Sequence, residues 1–108
     1  MEEIDKITKI IVESINPDKI VLFGSRARGD FREDSDYDLL VFSEKSNRNR
    51  EISKVLYRKI ASAKDIKASV DILVVDKNTY TKHKSTNGLI YKKIDEYGVK
   101  IWEQQMNG

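Results

Sequence analysis

Residues 23–41 read FGSRARGDFREDSDYDLLV, and the rest of the chain is understood from them. Just before them, residues 19–23 (KIVLF) form a short apolar run of strand length, which leads into Gly24-Ser25. Glycine at that place permits a sharp turn and close backbone approach. Ser25 reads as a helix N-cap and Arg26-Ala27-Arg28 as a short helical turn. Residues 29–35 are polar and read as a loop. Residues 36–42 form a second strand, and its period of two puts Asp36 and Asp38 on one face, with Tyr37 and Leu39 on the other.

Outward from this stretch, Ile4, Ile7, Ile10, Ile11 and Ile15 recur at helical spacing, which predicts an amphipathic helix over 2–15. Asn16-Pro17-Asp18 ends it. After a solvated loop over 43–49, residues 50–63 read as a helix with Ile52, Val55, Leu56, Ile60 and Ala63 inward. Residues 67–75 read as a third strand. Asp76 caps a short helix to about residue 84, and Ser85-Thr86-Asn87-Gly88 punctuates. Residues 89–97 form a last helix with Gly98 as its stop, and 99–102 an edge strand. Helices alternating with three or four strands make the class α/β or α+β, with a small mixed sheet. At 108 residues and with no linker, the chain reads as one domain over 1–108.

Composition narrows the partners. No apolar run is long enough to span a bilayer, and the N-terminus is acidic and periodic, unlike a secretory signal. The chain has no cysteine, which removes thiolate metal sites. A cytoplasmic home and no membrane partner are expected. The net charge of +2 is too small to argue for direct DNA binding. Residues 1–54 hold 10 basic and 12 acidic side chains, and 55–108 hold 10 and 6, so the second half is mildly basic. That balance suits an anionic ligand or a solvated lysine-rich surface, and argues against an acidic pocket for a cationic substrate.

The carboxylates carry the chemistry. An Asp-x-Asp alone is an ordinary strand end. Asp71 inside VDILVV is less ordinary, because an unpartnered buried charge is costly. If the second and third strands are neighbours, Asp71 comes beside Asp36 and Asp38. Three carboxylates together raise one another's pKa, and a divalent cation removes the conflict. Oxygen ligands without His or Cys point to Mg²⁺ or Mn²⁺. Two such ions suit an in-line displacement at phosphorus, with Asp36 and Asp38 bridging them and Asp71 beside the attacking hydroxyl. Gly24 leaves room for a phosphate, the Ser25 hydroxyl can donate to a phosphate oxygen, and backbone N–H groups at Arg26 favour an anion. Of Arg26 and Arg28, two apart on the turn, one faces the nucleotide; the other reading for both is a surface pair with Asp30, Glu33 or Asp34.

Residues 22–40, LFGSRARGDFREDSDYDLL, resemble the signature of the DNA polymerase beta-type nucleotidyltransferases, and FGSRARG with SDYDLLV is similar to their minimal bacterial and archaeal forms. The family's glycine-serine falls on Gly24 and Ser25, its paired metal acids on Asp36 and Asp38, and its third acid on Asp71. GLIYKKIDEYGVKIWE resembles the family's closing helix and strand. The resemblance implies that fold and transfer of a nucleoside monophosphate from an NTP, with two Mg²⁺. It also implies an antitoxin whose partner is a HEPN-domain ribonuclease toxin, and transfer of AMP from ATP to a toxin tyrosine. With little chain left over for an acceptor pocket, a second chain would supply it. The alternatives are a binding module that neutralises a toxin by contact, and transfer to a small molecule such as an aminoglycoside. A homo- or hetero-oligomer fits the apolar last helix and strand. His83 in KHKS reads as a surface residue, Trp102 as packing against the first helix or a partner, and Tyr37, Tyr57, Tyr80, Tyr91 and Tyr97 as rim residues.

Overall fold

The isoleucine face of the first helix is buried as its spacing requires. In the computed structural model, which describes residues 2–44, 48–84 and 89–105, α1 spans Glu3–Ile15, and Ile7 and Ile11 are fully buried. Asn16 ends it in the left-handed conformation, its N–H donating to the Val12 carbonyl. The order that follows is β1 (Lys19–Phe23), α2 (Ser25–Arg28), β2 (Tyr37–Phe42), α3 (Asn49–Ala61) and β3 (Val70–Val75). Then come α4 (Lys77–Lys84), α5 (Leu89–Tyr97) and β4 (Val99–Glu103).

The four strands make one mixed sheet in the order β3-β2-β1-β4. β1 is antiparallel to β2 and to β4, while β2 and β3 run parallel. A parallel pair needs a crossover, and α3 supplies it. Alternation along β2 sorts its side chains. Tyr37, Leu39 and Val41 join α1 and α3 in one core, with Ile52, Leu56, Ile60, Ile72 and Val74. Leu40 and Phe42 join Val21, Val75 and Ile94 in a second core, against Tyr80 of α4 and Tyr91 of α5. The architecture is therefore three layers with the sheet in the middle. Leu56 is fully buried, and its truncation to Ala would cost roughly 2–5 kcal/mol.

The expected elements are present, with corrections. β2 starts at Tyr37, so Asp36 precedes the strand, and β3 starts at Val70 instead of residue 67. Gly24, not Ser25, occupies the cap position of α2, and Ser25 is its first helical residue without a side-chain cap bond. Val55 is exposed, because α3 presents only Ile52, Leu56 and Ile60 fully inward. Asn49 opens α3 instead of closing the preceding loop; positions 45–47 of that loop, and 85–88, lie outside the described residues. Asp76 caps α4 by accepting from the Thr79 N–H at 3.4 Å, and hydrogen bonding from the Thr79 side chain above all holds its carboxyl below the ordinary value. Gly98 stops α5, donating to the Ile94 carbonyl at 2.8 Å, and a Cβ there would stand 2.7 Å from Val21 Cγ1. Trp102 packs against the α1–α3 core.

Candidate active site

Register places the carboxylates. Phe23 pairs with Asp38, and Asp38 pairs with Asp71, so the three form a row across β1, β2 and β3. Alternation puts this row on the face that carries Leu40, Phe42, Leu73 and Val75. Helices α4 and α5 cover that face at the Leu40–Phe42 end of β2. The Asp38 end lies beyond the buried cluster, where Asp71 is exposed and Asp38 half-buried. Asp71 is thus not the buried charge its apolar strand suggested. Its neighbours Ile72 and Val74 are buried on the opposite face, and it projects into an opening.

Asp36, exposed at the end of the loop, lies close enough to act on Asp38. Burial first, then the Asp71 and Asp36 carboxylates, push Asp38 above its ordinary pKa, and Arg28 offsets part of that rise. Three mutually repelling oxygen ligands suit a hard divalent cation. Among the described residues, no group of three or more acidic, histidine or cysteine side chains stands close enough together to hold a metal ion. The donor chemistry fits a magnesium-type ion, and the carboxylates stand apart.

Gly24 is fitted to Asp38. Its φ of +75° and ψ of −158° belong to a region that is essentially glycine-only. A Cβ on Gly24 would overlap the Asp38 Oδ2 atom and stand 3.0 Å from Cγ. The turn and the carboxylate therefore share one small space. Ser25 and Arg28 begin and end the four-residue helix that follows, and Gly29 closes it at φ +87°.

The two arginines of the turn part company. Arg26 Nε donates to the Ser35 carbonyl at 3.0 Å and Nη2 to the Glu33 carbonyl at 3.1 Å. Its guanidinium lies 4.1 Å from the Tyr37 ring centre and 4.8 Å from that of Phe31. Arg26 thus ties down the loop that ends in Asp36. Arg28 sits 3.5 Å from Asp30 and lines a cleft beside Gly24. That cleft, of about 480 Å³, is walled by Phe23, Gly24 and Arg28 on one side and Lys93, Ile94 and Tyr97 of α5 on the other. Reading of the chain alone passed over Lys93. Its signal was its place beside Ile94, the buried anchor of α5, and four before Tyr97.

Below the site, Glu3 Oε2 accepts from the Lys67 and Ala68 N–H groups at 2.6 and 3.2 Å, and the Lys67 bond in particular lowers the Glu3 pKa. This ties α1 to the approach of β3. The Tyr57 hydroxyl accepts from the Ile72 N–H at 2.7 Å and lies 3.4 Å from the Ile72 carbonyl, latching α3 to β3 beside Asp71. His83 is exposed and stacks on Tyr91.

A glycine turn after one strand and acids on the next two strands make up the candidate site. The sequence pattern of the family described as Polymerase beta, Nucleotidyltransferase matches residues 5–101, and the chain belongs to that family. It is 36% identical over 84 residues to a protein of Methanocaldococcus jannaschii provisionally named protein adenylyltransferase MJ0141, covering 78% of each chain. Its fold is similar to a chain of a crystallised toxin–antitoxin with AMP-PNP, at 25% identity and a TM-score of 0.68, covering 97% of this chain and 76% of that one. A double aspartate-to-glutamate mutant of the MntA–HpeT toxin–antitoxin shares the fold at 24% identity and the same TM-score, with the same coverage. The chain is accordingly a nucleotidyltransferase of mixed α/β fold. Among the described residues, no helix is long and apolar enough to cross a membrane.

Proposed function

We propose that the protein transfers AMP from ATP to a protein hydroxyl, a tyrosine of a partner HEPN-domain ribonuclease toxin, and so acts as that toxin's antitoxin. The observation that carries the reading is the row Asp38–Asp71 beside the Gly24 turn. The name of the Methanocaldococcus relative supports adenylyl transfer to protein, and the likeness to a toxin–antitoxin with AMP-PNP supports the partner and the adenine nucleotide.

In this reading Gly24 leaves space for the phosphates, the Ser25 hydroxyl donates to a phosphate oxygen, and Arg28 supplies positive charge at the cleft. Asp36, Asp38 and Asp71 would hold Mg²⁺, which would supply charge neutralisation at the phosphoryl oxygens. The acceptor oxygen attacks the α-phosphorus, the bond to pyrophosphate breaks, and Asp71, exposed on the open side, accepts the hydroxyl proton. Positioning and charge do most of the work. Arg26 contributes by fixing the loop that carries Asp36.

The test adds the purified chain, Mg²⁺ and α-phosphate-labelled ATP to a lysate of the source cell, with Asp36→Asn/Asp38→Asn as control. A protein band labelled by the wild type alone, carrying AMP on tyrosine by mass spectrometry, is the expected result. No label with any of the four nucleotides, while the Asp variants still neutralise the partner, would leave a contact antitoxin in its place.

A further inference from the structure

Three features of the active-site face lie in a line. Asp71 and Asp38 are paired across β3 and β2, Phe23 and Gly24 follow at the end of β1, and the cleft under α5 comes next. The character of the line changes along its length. The Asp71 end is acidic and open. The cleft end carries two cations from separate elements, Arg28 of α2 and Lys93 of α5, and no carboxylate lines it. Asp30, the partner of Arg28, is outside the lining.

Packing sets Lys93 in that wall. Ile94 is 3% exposed and anchors α5 in the second core. Gly98 then lets the chain turn tightly against Val21. Lys93 and Tyr97, one helical turn apart, are thereby presented to the cleft on either side of their buried neighbour. Among the described residues Lys93 forms no ion pair. Its charge is not spent on the fold. Two cations from opposite walls, with a glycine turn between them, recognise a compact multivalent anion.

We infer that Lys93 binds the pyrophosphate portion of the nucleoside triphosphate, opposite Arg28. The inference rests on the transferase reading and adds a direction to it. The acceptor enters from the Asp71 side, and the leaving group departs on the α5 side. As the bond between the α-phosphorus and its bridging oxygen breaks, the electron pair stays with the pyrophosphate oxygen. The added negative charge then faces Lys93 and Arg28. The cleft thus distinguishes a triphosphate from a monophosphate, which lacks the group that reaches α5.

Calorimetric titration of wild type and Lys93→Met with ATP, AMP and inorganic pyrophosphate, each with Mg²⁺, tests this. Lys93 is exposed, and Lys93→Met keeps the aliphatic stem. Binding of ATP and pyrophosphate should weaken about 10-fold, or about 1.4 kcal/mol, with AMP unchanged and Lys93→Arg close to wild type. Equal binding of ATP and pyrophosphate by Lys93→Met and wild type would overturn the inference alone, as would an equal loss for AMP. A wild type that binds no nucleotide would overturn the transferase reading together with it.

Discussion

Asp38 and Asp71 stand opposite each other on two parallel strands, although 33 positions separate them in the chain. Asp38 also feels Asp36, and burial and both carboxylates raise its pKa. A carboxyl whose folded pKa is raised binds more protons folded than unfolded, so its charge costs stability once pH exceeds its ordinary value of 3.8. Asp38→Asn should therefore raise the melting temperature of the metal-free protein at pH 7. The gain should shrink as pH falls through the raised pKa of Asp38 and be gone below its ordinary value of 3.8. The same variant should lose transfer by roughly 10³-fold, since several kcal/mol of charge stabilisation go with the metal. Differential scanning calorimetry in EDTA across pH, beside a transfer assay, reads both; a destabilised variant at pH 7 would contradict the electrostatic account.

Gly24 admits no side chain. Gly24→Ala must adopt a glycine-only conformation and push Asp38 aside. A cost of about 1–3 kcal/mol is expected from the backbone alone, and Asp38→Asn should not relieve it, since the asparagine amide fills the same space. Urea melts of the single and double variants give the numbers. A Gly24→Ala protein of full stability and activity would show that the turn tolerates what its geometry forbids.

Arg26 and Arg28 should fail in different ways. Arg26→Ala frees the loop ending in Asp36. It removes two bonds to main-chain carbonyls and two ring contacts, with a loss of about 1–3 kcal/mol. Arg26→Lys should not rescue it, since a lysine cannot bridge two carbonyls while lying flat between rings. Arg28→Ala should leave stability near wild type and weaken ATP binding about 10-fold, by loss of one charged contact. Parallel urea melts and ATP titrations separate the two.

Tyr57→Phe removes the only side chain that the described residues place on the Ile72 main chain. The edge of β3 then opens beside Asp71. Amide hydrogen exchange at Ile72 should accelerate about 5- to 10-fold, matching roughly 1 kcal/mol for one neutral hydrogen bond. Exchange unchanged at Ile72 would show that the hydroxyl adds nothing to that edge.

Much of this arrangement was legible before any coordinates. Five isoleucines at helical spacing gave away α1, and apolar runs broken by Gly24-Ser25 and by a polar loop gave away β1 and β2. Asp71 was readable as unusual but not as exposed, because VDILVV does not say how much of each face is covered. That depends on how far α4 and α5 extend over the sheet. Which of Arg26 and Arg28 faces the site stayed open for a similar reason. Nothing local says that Phe31 and Tyr37 will close around a guanidinium five and eleven positions away. Lys93 was passed over because its surroundings come from Phe23 and Gly24, about 70 positions earlier, and lysines next to it in the chain look no different.

The parallel pairing of β2 with β3 also bears on when the protein becomes an enzyme. β1 and β2 form an antiparallel pair across one loop, so Gly24, Asp36 and Asp38 can be assembled once residue 42 is available. Asp71 cannot join them until the α3 crossover has closed and β3 has docked. Non-local parallel pairing is slow relative to hairpin formation. Until β3 docks, the Gly24 turn and the two acids near the start of β2 sit on a two-stranded pair that is marginal by itself, and the group assigned to the acceptor is missing. The candidate site is thus completed only by the most non-local strand pairing it uses, the docking of β3 on β2.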